Sequence, residues 1–182
     1  GQSPLTLAQL CAVLESPATV SLTPAAWADV DKGAATIAAI VAEGRTVYGV
    51  NTGFGLLANT SIAPEDLETL QRNLVLSHAC GVGPLLPDSV TRLLMVLKIA
   101  SLSRGASGIR RETLEALIAL VNADILPCIP SKGSVGASGD LAPLSHMTAT
   151  MIGVGECFTP HGRLPAAEAF AAHGLQPLIL GA

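Results

Sequence analysis

Aromatic residues are scarce in this chain of 182 residues, which holds one Trp, one Tyr and three Phe. Charged residues make up 13%, about half the share usual for a soluble domain. So few aromatic residues argue against a core built on sheets. A chain that is 49% hydrophobic and carries a net charge of only −4 is also no candidate for disorder. That charge and a pI near 5.5 provide no basic surface for nucleic acid or an anionic membrane. No apolar run reaches the roughly 18 residues that a membrane-crossing helix needs; Arg92, Lys98 and Arg104 interrupt the longest candidates. The four cysteines, Cys11, Cys80, Cys128 and Cys157, contain no C-x-x-C pair. Their spacing suits neither a zinc site nor a disulfide framework, so reduced thiols and a cytoplasmic setting are expected. Gly1-Gln2-Ser3-Pro4 has no basic or apolar leader character, and no signal peptide is expected.

What the chain has in quantity is alanine (28) and leucine (27), which favour helix. Leu7, Leu10, Cys11 and Leu14 recur at helical spacing behind Thr6, a natural N-cap. Thr23-Pro24 opens a second helix, with Trp27, Val30, Ala34, Ile37 and Val41 facing inward and Gly44 ending it. From Arg45 to Ile62 the periodicity stops, as in a loop. The pattern predicts further helices from Pro64 to about Ala79, from Pro87 to near Gly105 and from Arg111 to Asp124. Two more are predicted from Leu141 or Leu144 to Ile152 and from Pro165 to Ala172. The expected class is all-α with two long loops. The ending at Leu180-Gly181-Ala182 has no capping element and suggests truncation.

The second loop, residues 131–139, holds three Gly and three Ser. Its glycines match neither the P-loop nor the dinucleotide-binding pattern, and no strand is predicted before it. Its tripeptide Ala137-Ser138-Gly139 can react with itself. In a tight bend the Gly139 amide nitrogen attacks the Ala137 carbonyl carbon. Loss of water closes a five-membered ring, and loss of the Ser138 hydroxyl as water leaves an exocyclic methylidene. Glycine offers an unhindered nitrogen and permissive dihedrals, serine the leaving group, and alanine a small first position. The product, 4-methylidene-imidazole-5-one, is an electrophile that no ordinary side chain supplies. Composition alone yields roughly 0.2 Ala-Ser-Gly by chance, and Gly105-Ala106-Ser107-Gly108 repeats the same tetrapeptide. A plain flexible loop therefore competes with the chemical reading of the tripeptide.

The longer run from Gly133 to Leu144, with Asp140-Leu141-Ala142-Pro143 after the tripeptide, resembles the signature of the aromatic amino acid ammonia-lyases. Tyr48-Gly49-Val50-Asn51-Thr52-Gly53-Phe54-Gly55 resembles the second signature of that family. Leu74 to His78 and Ser103 to Arg110 extend the likeness over nearly the whole chain. The resemblance implies an N-terminal helical domain, residues 1–110, carrying the Tyr48 loop. It further implies that residues 111–182 begin the central helical bundle of an ammonia-lyase (aspartase/fumarase-like) fold. Ala137, Ser138 and Gly139 would form the electrophilic ring, with no metal. Tyr48 would remove the substrate's β-proton, a role that demands surroundings favouring the phenolate, since a phenol is a weak base at neutral pH. Asn51, Gly53 and Phe54 would shape the loop over the pocket, and Asp140 and Leu141 would support the ring.

Ser77-His78 resembles the version of the family that takes L-histidine, releasing trans-urocanate and ammonia, with His78 beside the substrate imidazole. A structural histidine is the competing reading of His78, and an ordinary packed ring that of Tyr48. A sister activity on phenylalanine or tyrosine, as ammonia-lyase or aminomutase, stays open, as does a non-catalytic helical module. His146 is expected as a neighbour of the site, and Arg104, Arg110 and Arg111 as helix-end charges or subunit contacts. The resemblance further implies a homotetramer whose sites combine several subunits, and active-site residues that lie beyond this sequence. Activity of these 182 residues alone is not expected.

Overall fold

The computed structural model describes residues 4–52, 62–63, 66–134 and 141–180. Seven helices dominate them: α1 (Leu7–Glu15), α2 (Pro24–Ala42), α3 (Leu67–His78), α4 (Asp88–Leu102), α5 (Arg111–Asn122), α6 (Leu141–Met151) and α7 (Ala166–His173). Both helix starts expected from local chemistry are present. Thr6 and Gln9 form a reciprocal capping box at α1, satisfying amides that a helix start leaves free. The Thr23 hydroxyl accepts from the Ala26 amide at 3.3 Å, ahead of Pro24 in the first turn of α2.

Five short strands accompany the helices: β1 (Val82–Leu85), β2 (Leu126–Pro127), β3 (Pro130–Lys132), β4 (Glu156–Thr159) and β5 (Gly162–Pro165). β1 pairs antiparallel with β3, and β2-β4-β5 form an antiparallel trio. None was expected. They are two to four residues long, several hold proline or glycine, and apart from the β4–β5 hairpin their partners are distant in sequence, so no alternation is visible along the chain. In the trio Leu126 faces Phe158 and Cys157 faces Leu164. The fold is mostly helical, in line with the all-α class expected from sequence, with small sheet fragments added.

The core lies where α4 and α5 meet. Met95, Ile99, Leu114, Leu117, Val121, Ile125 and Ile129 are buried there, with Val30 of α2, Met147 and Met151 of α6 and Phe170 of α7 joining them. α1 packs on α4, α2 on α5, and α3 on α6. A single cation crosses this frame: Arg92, 5% exposed, donates from Nε to Asp124 at 3.0 Å and from Nη1 to the Val13 carbonyl. Removing either partner would strand a buried charge, so the pair fixes α4 against the turn after α5. No described helix is long and apolar enough to cross a membrane.

Candidate active site

Tyr48 sits on a turn at residues 48–50 with its ring 63% exposed. Gly49 takes φ +79° there, a left-handed backbone that glycine adopts without penalty. The turn is held from behind by Asn51, which is buried. Asn51 Nδ2 donates to the Arg45 carbonyl and its Oδ1 accepts from the Val47 amide, both at 2.8 Å. Its own carbonyl accepts from the Ile62 amide at 3.0 Å. One side-chain amide thus replaces the ladder that this irregular segment lacks. Thr52 is buried beside it, with its hydroxyl near the Gly49 amide. Gly53 and Phe54 lie outside the described residues, as do Ala137, Ser138, Gly139 and Asp140.

Ser77 and His78 end α3. His78 Nδ1 stands 2.9 Å from the Leu74 carbonyl oxygen and 3.1 Å from the Ser77 hydroxyl, which itself donates to Leu74. A carbonyl oxygen only accepts, so Nδ1 carries the proton. In the neutral ring Nε2, across from it, is left as an acceptor. The imidazole is therefore oriented by its own helix and offers one lone pair outward.

The described ends of the second loop meet the end of α3. Ser134 is the last described residue before it and Leu141, 46% exposed, the first after it. A Cβ on Gly133 would lie 2.8 Å from the Ala142 Cβ and 3.2 Å from the Gly81 Cα. Only glycine permits this approach of three segments. The Gly81 amide, three residues past His78, donates to His146 Nε2 at 3.0 Å. His146 lies one helical turn beyond Ala142, on the same stripe of α6, and burial holds its imidazole below the usual pKa. The structure thus brings Gly81, three residues past His78, together with both stems of the loop. The packing of Gly81 against Gly133 and Ala142 was not legible in the sequence, because close backbone approach between distant segments leaves no periodic signal.

The Tyr48 turn borders a different feature, an open groove of about 960 Å³. Ala34, Ala38 and Val41 of α2, Gln71 of α3 and the segment from Ser107 to Arg111 line it with Gly49 and Val50. Ser77, His78 and α6 are absent from its walls. Gln71 precedes His78 by two helical turns, about 10 Å along α3. At the groove's rim Arg111 pairs with Asp31, holding that carboxyl below its usual pKa, and stacks over Trp27 at 4.5 Å. Arg110 donates to the Ile179 carbonyl. Both arginines tie elements of this chain together. Among the described residues no three His, Cys, Asp or Glu side chains converge as a metal site requires.

A tyrosine-bearing turn, a helix end that presents an oriented imidazole, and a Gly-Ala-Ser-Gly loop with a tightly packed stem make one combination. Residues 5–182 match the family model for aromatic amino acid lyases, and the chain belongs to that family. It is 56% identical over 178 residues to the histidine ammonia-lyase of Pseudomonas fluorescens, covering 98% of this chain and 35% of that protein. The solved histidine ammonia-lyase of Trypanosoma cruzi superposes with a TM-score of 0.89 at 37% identity, over 97% of this chain and 34% of that one. The phenylalanine aminomutase of Pantoea agglomerans gives 0.93 at 29% identity, over 99% and 34%. The chain thus spans about a third of the length of the relatives it matches.

Proposed function

We propose that the full-length protein containing this chain deaminates L-histidine to trans-urocanate and ammonia. The observation that carries the reading is the oriented His78 at the loop stem, in a chain more than half identical to a histidine ammonia-lyase. Ala137, Ser138 and Gly139 are the source of the methylidene-imidazolone. When formed, that group supplies an electrophile that draws electrons from the substrate. The stem fits it: Gly133 is pressed against Ala142 and Gly81, which holds the loop ends close, and closing the ring needs a compressed loop.

This chain's own residues bind and move a proton. Tyr48, open to a substrate on its turn, takes the proton from the β-carbon. His78 Nε2 accepts from the N–H of the substrate imidazole, a hydrogen bond that a phenyl ring cannot return, so its loss on the wrong substrate leaves a polar group unpaired. Asn51 keeps the Tyr48 turn in place, Gly53 and Phe54 cover the pocket, and Asp140 and Leu141 support the ring. Assembly as a cytoplasmic homotetramer, and a division into an N-terminal helical domain (residues 1–110) and the start of a central one (residues 111–182), belong to the same proposal. So does the inactivity of the 182 residues alone.

The fold serves a sister activity equally well, as the superposition on an aminomutase illustrates; Ser77-His78 is what favours histidine. The test supplies L-histidine, L-phenylalanine and L-tyrosine to the full-length protein, follows product absorbance, and measures the intact mass. Urocanate from histidine, with a mass deficit of two waters, is expected. Turnover of phenylalanine or tyrosine in preference to histidine would overturn the substrate, and an undiminished mass would overturn the ring.

A further inference from the structure

The hydrogen bond from the Gly81 amide to His146 Nε2 spans 65 positions of sequence and is a polar link at the junction of three segments. One is the turn after His78. The second is the end of β3, where the loop leaves. The third is the start of α6, where the loop returns. A Cβ on Gly81 would meet His146 Nε2 at 3.1 Å and the Pro130 Cβ at 3.3 Å, so the contact is close on every side. We infer that His146 is a positioning residue: by accepting from Gly81 it fixes the turn after His78, which reads the substrate, against the loop stems at Gly133 and Ala142. The inference rests on the histidine reading above and adds to it a residue which touches no substrate.

The role demands one protonation state. An amide N–H only donates, so Nε2 must be bare and the proton must sit on Nδ1. A protonated ring would set one N–H against another and release the turn that carries His78. Burial favours the neutral form. The ionisable groups on the elements around it are Glu68, Arg72 and His78 of α3 and Lys132 at the end of β3. Cys80 beside Gly81, Cys128 after β2 and Asp140 before α6 complete the set. Because the folded pKa lies below the usual imidazole value, the bond is fully present above about pH 6.5 and is lost as pH falls through the lower folded pKa.

The test uses the full-length protein and two variants. His146→Gln keeps an acceptor near the place of Nε2 and does not titrate. His146→Leu keeps comparable bulk without an acceptor. KM and kcat for L-histidine are measured across about pH 5 to 8, with intact mass reporting the ring. His146→Leu should raise KM about tenfold with the two-water deficit retained. His146→Gln should match the wild-type KM at neutral pH and show a weaker rise in acid. A wild-type KM in His146→Leu, or identical behaviour of the two variants, overturns the inference. Where His146→Leu does not fold, an acid dependence in His146→Gln equal to that of the wild type overturns it and a weakened one supports it. A wild-type protein that forms no urocanate sinks the underlying reading, and the inference with it, and is recognised before any variant is made.

Discussion

Gly105–Gly108 and Gly136–Gly139 carry the same four residues, Gly-Ala-Ser-Gly, in different surroundings. The first tetrapeptide joins α4 to α5 and is wedged onto α2. Gly105 and Gly108 take φ of +70° and +68°. A Cβ on Gly105 would stand 2.2 Å from the Asp29 carbonyl oxygen, and one on Gly108 2.2 Å from Ile37 Cγ1. α2 answers with Gly33, whose own missing Cβ would meet the Gly105 carbonyl oxygen at 2.2 Å. Here both glycines are consumed by packing and by left-handed backbone. The second tetrapeptide lies outside the described residues, between β3 and α6; on its described flanks Gly133 is pressed against Ala142 and Gly81, and the Gly81 amide donates to His146. The difference is one of context: the first copy is a packing turn, and at the second, where the ring is proposed to form, the described flanks are anchored.

The widest separation between the two copies is expected in the full-length protein from their serines. Ser138→Ala should remove the two-water mass deficit and lower urocanate formation by about a thousandfold or more. Ser107→Ala should leave both the two-water mass deficit and the rate unchanged; loss of the ring there would break the comparison. Next in size come the packing glycines. Gly108→Ala combines a strained backbone with a clash on Ile37 and should cost about 3 kcal/mol of stability, read as a lower denaturation midpoint with the mass deficit intact. The smallest effect belongs to the stem. Gly133→Ala presses on a methyl that cannot rotate away, at a cost of about 1–2 kcal/mol. It should also reduce the fraction of molecules carrying the ring, whereas Gly108→Ala should not; equal fractions would show that the stem does not guide ring closure.

The helices were legible because most bury one stripe, and α1 and α2 begin with local capping chemistry. Thr6 and Thr23-Pro24 announce their caps, and Leu114, Leu117 and Val121 recur at the helical period and are buried together. β1 was not legible: Gly83 and Pro84 sit within it, and its partner is the distant β3. The candidate site divides in the same way. Tyr48, His78 and the Ala137 loop stand out through residue type and motif. The work of Asn51 in tying Arg45 to Val47, and the meeting of Gly81, Gly133 and His146, depend on side-chain-to-backbone bonds and close approaches that have no period. Residue chemistry marks the groups that would act, and long-range geometry holds them.

Asn122, the last residue of α5, has a further consequence. Its amide grips both sides of Val20, accepting from the backbone N–H at 2.7 Å and donating to the carbonyl at 3.0 Å, across 102 positions. Arg92 reaches back to Val13 across 79. α1 has no buried residue of its own, and its main packing partner is α4. Closing such long loops costs entropy that nothing within α1 can offset. α1 therefore has to wait for chain made later, and for this helix the order of assembly runs against the order of synthesis.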